Sequence, residues 1–391
     1  MERFVYLDNQ GSTRIDPRVL TAMLPYFTDH YGNPSNILSR YGRIAHEAID
    51  RARQTLADYL GADSQNEIVF TSGATEANDL AVNGVIDALA DASRLPHIIT
   101  SRIEHAGILN TCKGLERRGI AVSYIGVDEQ GLVSLPELRG AIREETVLIS
   151  IMAANNEVGS IQPIAEIGEI ARNAGILFHT DAAQYLSLGK LEVNRLHADL
   201  VSLSAHKIYG PKGIGALYIR QSVPLKGRIP GGMQQRGLRG GTLNTPGIAG
   251  FAEAVRLLAR EHEEDARRIR ALRDRLLSNL QRDLRIRVNG TLERRLPGNL
   301  NLAFLDTTAV ALIALVPEIA VSVGSACSNA EPSHVLKAMG LPGDLVERSV
   351  RFSLGRFTTE AEIDYVSALL PQRLGRPPHA HDTAQEKKIT E

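Results

Sequence analysis

The chain has 391 residues, enough for a large core and more than one domain. It is 43% hydrophobic and 23% charged, with a formal net charge of −1, so it has the balance of an ordinary globular enzyme and no basic excess for direct nucleic-acid binding. Two cysteines, Cys112 and Cys327, exclude a disulfide framework and suit a reducing compartment.

The first eight residues carry charge too early and too little apolar length for a signal peptide, and no apolar run approaches a membrane span, so a cytoplasmic location is expected. Val5-Tyr-Leu-Asp8 reads as a short extended segment leading into a turn-rich loop, 9–13. Asp16-Pro17 starts a helix, with Asp as cap and Pro in the first turn. Ile44, Ala48, Ile49, Ala52 and Leu56 mark an amphipathic helix that Gly61 ends. Strands and helices then alternate. Strands are predicted at 67–70, 97–100, 121–127, 146–153, 176–181, 199–203 and 215–219, with helices opening at Thr71–Thr75 and spanning 108–117, 135–142 and 165–174. That alternation argues for a mostly parallel sheet covered on both faces.

Pro246 to Leu280 reads as one long helical stretch whose charged middle, 260–268, is taken as a solvated face bridging two domains. Beyond it the pattern changes to strands at 285–288, 298–304 and 350–354, with helices near 309–315, 332–339 and 359–370. This is the pattern of a smaller α+β domain joined by the N-terminal segment. The last stretch, 375–391, is polar and irregular, as a mobile tail is.

The chemistry gathers at predicted strand ends. Lys207 stands just past the apolar strand 199–203, where open α/β sheets bind ligands and where a desolvated amine can attack a carbonyl. Gly73-Ala74-Thr75 opens a helix, and a helix N-terminus with a hydroxyl suits a phosphate. Asn156, Asp181 with Gln184, and Ser204 with His206 end further strands, and His105 follows another. Taken singly, Thr75 and Asp181 read equally well as helix caps, and His105 as a loop histidine. Together they supply what pyridoxal 5'-phosphate (PLP) requires: a lysine for its aldehyde, a carboxylate for its pyridine nitrogen and a helix start for its phosphate. Cys112 lies at helical spacing between Ile108 and Leu115 and reads as core. His46-Glu47 lacks the second histidine of a zinc-protease motif, so no metal site is expected.

The motifs Thr71–Asn78, Asn155–Gly159, His179–Gln184 and Ser204–Gly213 resemble those of the NifS/IscS cysteine desulfurases, PLP enzymes of the class V aminotransferase family. The resemblance runs from Tyr6 to about Leu370 and takes in Gly324–Ser328 and Ser353–Thr358. It implies an α/β architecture of PLP-dependent transferase fold type I. A large domain, 16–254, would hold a mostly parallel seven-stranded sheet. A small domain, 1–15 and 255–374, would carry the cysteine loop.

By motif, Lys207 would be the Schiff-base lysine and would also move the Cα proton. Asp181 would partner the pyridine nitrogen and Gln184 the ring hydroxyl. His105 would stack on the ring as acid/base, and Ala74, Thr75, Ser204 and His206 would hold the phosphate. Thr242 would reach the phosphate of a second copy, implying a homodimer. Arg356, aided by Asn156, would grip the substrate carboxylate. Cys327 would take sulfur from L-cysteine as a persulfide, leaving L-alanine, and pass it to an acceptor protein serving iron–sulfur cluster assembly, thiolation or DNA phosphorothioation. The loop after Cys327 is two residues shorter than in the housekeeping IscS type, similar to specialised desulfurases including those of phosphorothioation. The 9–13 loop also departs from the usual Ala-Thr-Thr-type run. A class V aminotransferase or selenocysteine lyase is the alternative enzyme. A PLP-fold transcription regulator is disfavoured by the near-neutral charge and by a chain that opens directly on Tyr6-Leu-Asp8.

Overall fold

The computed structural model describes residues 4–90, 95–323 and 332–375. β1 (Val5–Tyr6) is followed by α1 (Pro17–Met23), which starts as its residues require. Asp16 accepts the Arg18 amide at 2.9 Å, and Pro17 brings no N–H that would need a partner in the first turn. After α2 (Pro25–Thr28), α3 (Arg40–Leu60) buries Ala45, Ala48, Ile49, Ala52 and Leu56 at three- and four-residue spacing. It closes on Gly61, whose φ of 64° is left-handed and favours glycine.

The alternating region holds β2 (Ile68–Thr71), α4 (Ala74–Leu89), β3 (His97–Ser101), α5 (Ala106–Glu116), β4 (Ala121–Ile125) and α6 (Leu135–Ala141). It continues through β5 (Thr146–Ser150), α7 (Ile164–Asn173), β6 (Leu177–Asp181), β7 (Leu200–Ser204) and β8 (Gly215–Ile219). The strands form one seven-stranded sheet in the order β2-β8-β7-β6-β5-β3-β4. Neighbours are parallel except around β8, which runs antiparallel to both β2 and β7. Strands β2, β3, β7 and β8 are buried along their whole length, which is why their sequences carry apolar or small residues on both faces rather than alternating with charged ones.

This topology brings the C-terminal ends of β2, β3, β5, β6 and β7 to one rim. Gly215, opposite both Thr71 and Ser204, is required there by close approach. A Cβ on it would lie 2.4 Å from the Leu203 carbonyl oxygen and 2.7 Å from the Gly73 backbone.

A single helix, α8 (Thr245–Asp283), leaves this layer. Its first half buries Ile248, Phe251, Val255 and Leu258 in the core of the seven-stranded sheet; its second half buries Leu272, Leu276 and Leu280 in a separate core. The boundary expected at 254/255 thus falls inside an uninterrupted helix. The charged middle is only partly a solvated face, because Glu261 and Asp265 turn inward to ion pairs with Arg18 and Arg356. The second core is covered by β9 (Ile286–Val288), β10 (Asn299–Phe304), α9 (Ala309–Leu315), β11 (Ile319–Ala320), β12 (Ser349–Ser353) and α12 (Glu360–Arg373); α10 (His334–Ala338) and α11 (Gly343–Glu347) instead bury Val335, Leu336 and Val346 against Ile103, Met152 and Val158, just past β3 and β5. Strands β12, β10 and β9 form an antiparallel sheet, and β1 pairs in parallel with β11.

The N-terminal segment therefore begins in the second core, paired with β11, and then crosses to the seven-stranded sheet. Thr13 donates its amide and its hydroxyl to the carbonyl of His206, at 3.0 and 2.9 Å, just past the end of β7.

Candidate active site

A cavity of about 430 Å³ opens at the strand-end rim, within the size range of small-molecule sites. Its walls include Ala74, Thr75, His105, Asn156, Asp181, Gln184, Ser204, His206 and Lys207, all singled out from the sequence. The single-turn 3-10 helix after β7, Ala205–Lys207, turns the lysine inward. Its Nζ donates to the carbonyl oxygens of Gln10 and Gly11 at 2.5 and 2.7 Å. The 9–13 loop thus forms the other side of the lysine's setting.

Asp181, at the end of β6, is buried and doubly held. Asn78 Nδ2 donates to one carboxylate oxygen at 2.7 Å, and the Ala183 amide donates to the other at 2.9 Å. His105 caps α5 by accepting the Gly107 amide at Nδ1, 3.1 Å away. Burial pushes its pKa down, so the imidazole is neutral with Nδ1 as acceptor. Next to it, Glu104 is fully buried; burial raises its carboxyl to about 8, although Ser101 and the Met152 amide bond to it. At the far wall, burial, with Lys207 and Lys212 nearby, lowers His206 to about 4, and its Nδ1 pairs with Ser12 Oγ at 3.1 Å. Helix α4 starts at Gly73 with no side-chain cap, leaving first-turn N–H groups directed at the cavity beside Thr75 and Ser204.

Arg351 also lines the cavity. Only 1% of it is exposed. Nη1 donates to the Asn156 carbonyl at 2.7 Å and Nη2 to Asp8 Oδ1 at 2.5 Å.

Residues 5–366 match the family described as aminotransferase class-V. The chain is 46% identical to the cysteine desulfurase IscS of Dechloromonas aromatica over 376 residues, covering 95% of this chain and 92% of that one. Among solved structures, a NifS-like protein superposes with a TM-score of 0.90 at 38% identity, covering 95% of this chain and 99% of its own. SspA in complex with cysteine superposes with a TM-score of 0.80 at 38% identity, covering 91% and 100%. The chain belongs to the class V aminotransferase family.

As a class V enzyme of the cysteine desulfurase type it uses PLP, and the cavity fits that cofactor. An uncapped helix start lies at one wall and a buried, doubly held carboxylate at another, with an amine in the cavity they share. A Cβ built on Gly73 meets nothing within 4 Å, so the approach to the helix start is open.

Three expectations for this class V site stand differently. Arg356, expected at the substrate carboxylate, does not line the cavity. It lies 2.8 Å from Asp265, 3.0 Å from Asp16 and 3.6 Å from Glu261, with its guanidinium 4.6 Å from the centroid of Tyr209. A fork so occupied belongs to the junction between α1, α8 and the turn after β12. Thr242 is exposed and outside the cavity. Cys327 lies outside the described residues. Cys112 is buried in α5 as expected, its thiol pushed up by burial to about 12.

Sequence reasoning passed over Arg351, Asn78, Glu104 and Gln10. For Arg351 a signal was present: it interrupts the apolar strand Val350–Leu354, and a charge at such a position is rarely buried without a task.

Proposed function

We propose that this cavity carries out cysteine desulfuration with Lys207 as its central amine and Arg351, rather than Arg356, as the grip on the substrate carboxylate. The observation that carries the reading is the meeting of Lys207, Asp181 and Arg351 in one cavity. PLP, held at Lys207, supplies an aldehyde that captures the substrate amine and a ring that stores electrons released at Cα. Asp181, held by Asn78 and Ala183, would partner the ring nitrogen. The first turn of α4 with Thr75, Ser204 and neutral His206 would hold the phosphate, and Gln184 the ring hydroxyl. Lys207 Nζ, released from the Gln10 and Gly11 carbonyls, takes the Cα proton of L-cysteine. His105, whose Nδ1 accepts the Gly107 amide, carries its proton on Nε2 and can donate it there. Arg351, with Asn156, fixes the carboxylate so that Cα is aimed at Lys207.

The Cys327 thiolate then attacks the substrate sulfur. An S–S bond forms, the C–S bond breaks with its electron pair left on Cβ, and protonation of Cβ together with return of a proton to Cα gives L-alanine. The persulfide on Cys327 passes to an acceptor protein. A second copy of the chain completes the assembly through Thr242. Exposed Leu24, Phe27, Ile37 and Leu38 support a buried contact in that region, and segment 34–37 shares a surface hollow with Met233–Arg236.

The test is to incubate the pure enzyme with L-cysteine and a reductant and to measure alanine and sulfide. Both should form at equal rates, cease in Lys207→Ala, and cease in Cys327→Ser although that variant keeps the PLP absorbance. Equal product from wild type and Lys207→Ala contradicts the reading.

A further inference from the structure

The pairing of Arg351 with Asp8 is not needed to hold the strands together. Asp8 is already fixed by backbone contacts: the Ser353 amide donates to Leu7 at 2.7 Å, and the Asn9 amide donates back to Ser353 at 3.1 Å. These place Asp8 beside β12, two residues along from Arg351. The chain then folds back, the amides of Gly11 and Ser12 donating to the Asp8 carbonyl at 3.0 and 3.3 Å. That turn closes over the carboxylate, and a Cβ on Gly11 would lie 2.4 Å from Asp8 Oδ2. Glycine at position 11 therefore leaves the room in which the carboxylate reaches Arg351.

A guanidinium as buried as this one needs a counter-charge when the site is empty. The nearby Glu157 carboxyl is bonded instead by Ser333 Oγ, and Asp8 is the carboxylate that bonds the guanidinium itself. An arriving amino acid brings a second carboxylate to the same fork. Nη1 and Nη2 are committed to Asn156 and Asp8, and Nε is buried without a partner. The substrate must share or displace what Asp8 holds.

We propose that Asp8 is an internal carboxylate that occupies Arg351 until the substrate's carboxylate arrives, and thereby sets how tightly the amino-acid substrate is held. This rests on the reading of Arg351 as the carboxylate grip. Asp8 is a positioning residue acting through Arg351; its presence keeps the arginine oriented and paired between turnovers while weakening substrate binding by like-charge repulsion.

The experiment compares wild type, Asp8→Asn, Gly11→Ala and Arg351→Lys as full-length holoenzymes, measuring KM and kcat for L-cysteine and inhibition by L-alanine and by cysteamine, which lacks a carboxylate. Asparagine still accepts from Nη2 but carries no charge, so KM is expected to fall by about fivefold, the scale of a partly screened like-charge contact. L-Alanine should inhibit that variant at correspondingly lower concentration, while cysteamine inhibits both proteins alike. Gly11→Ala, which pushes the Asp8 carboxylate aside, should lower KM as well and serves if Asp8→Asn fails to fold. Arg351→Lys should raise KM by about tenfold, since an ammonium cannot replace the planar fork. If Arg351→Lys leaves KM unchanged, the reading of Arg351 falls and that of Asp8 with it. If Arg351→Lys raises KM but Asp8→Asn and Gly11→Ala leave it level or raise it, only the role of Asp8 is overturned. A shift for cysteamine equal to that for alanine overturns it too.

Discussion

Replacing Arg356 by Met separates a structural arginine from a substrate-binding one. Met keeps most of the apolar stem and removes the guanidinium. The side chain is only 8% exposed, and the change deletes charged contacts to Asp265 at 2.8 Å and Asp16 at 3.0 Å. Each such bond contributes roughly 1.5–3 kcal/mol. Asp16 retains Arg18 at 2.8 Å, and Asp265 is partly exposed and can rehydrate, so both losses fall at the low end of that range. The expected destabilisation is about 3 kcal/mol, less than the cost of leaving a fully buried charge unpaired. Urea unfolding monitored by circular dichroism reads the loss, and steady-state kinetics on the folded variant reads KM for L-cysteine. The midpoint should fall while KM stays within about twofold of wild type, because the deleted contacts lie outside the cavity. Unchanged stability with a KM raised by about tenfold or more would place Arg356 at the substrate and refute the assignment to Arg351.

Glu104 gives a pH signature. Its carboxyl is held at about 8, above its unfolded value, so its contribution to stability is complete below the unfolded pKa and is lost as pH rises toward 8. Glu104→Gln should flatten the decline in unfolding midpoint between about pH 5 and pH 8, measured by thermal scans across that window. Cys112, with its thiol raised to about 12, should resist iodoacetamide in the native enzyme at pH 7.5, and mass spectrometry should find alkylation there only after denaturation. Gln235 clamps the open edge of β2, its Oε1 accepting the Phe70 amide at 2.6 Å and its Nε2 donating to the Phe70 carbonyl at 2.8 Å. Gln235→Ala leaves both groups unpaired and should cost about 2 kcal/mol by urea unfolding, with faster hydrogen exchange at Phe70.

The sheet was legible because most of its strands are buried on both faces: largely apolar runs such as Leu148–Ile151 and Leu200–Leu203, each interrupted only by a serine, need no tertiary information to be read. The polar residues ending them were legible for the same reason, since Asp181 and Lys207 stand out within a few residues of an apolar run. What escaped were residues whose task depends on contacts far along the chain. Asn78 looks like one more polar residue on α4 until β6 brings Asp181 against it. Gln10 and Gly11 show nothing in the sequence of the Lys207 amine that their carbonyls hold. Arg356 and Arg351 sit five residues apart in one motif-bearing segment, and only the register of β12 against β10 shows which of the two reaches the cavity. The two-residue β11 and the short α11 carry no periodicity long enough to read.

The most direct test is chemical. Reducing the holoenzyme with borohydride fixes PLP to whichever amine carries it, and peptide mapping by mass spectrometry locates the mark. The account predicts the pyridoxyl phosphate mass on Lys207 and its absence from Lys207→Ala. A mark on another lysine, or none in a holoenzyme that retains PLP absorbance before reduction, contradicts it.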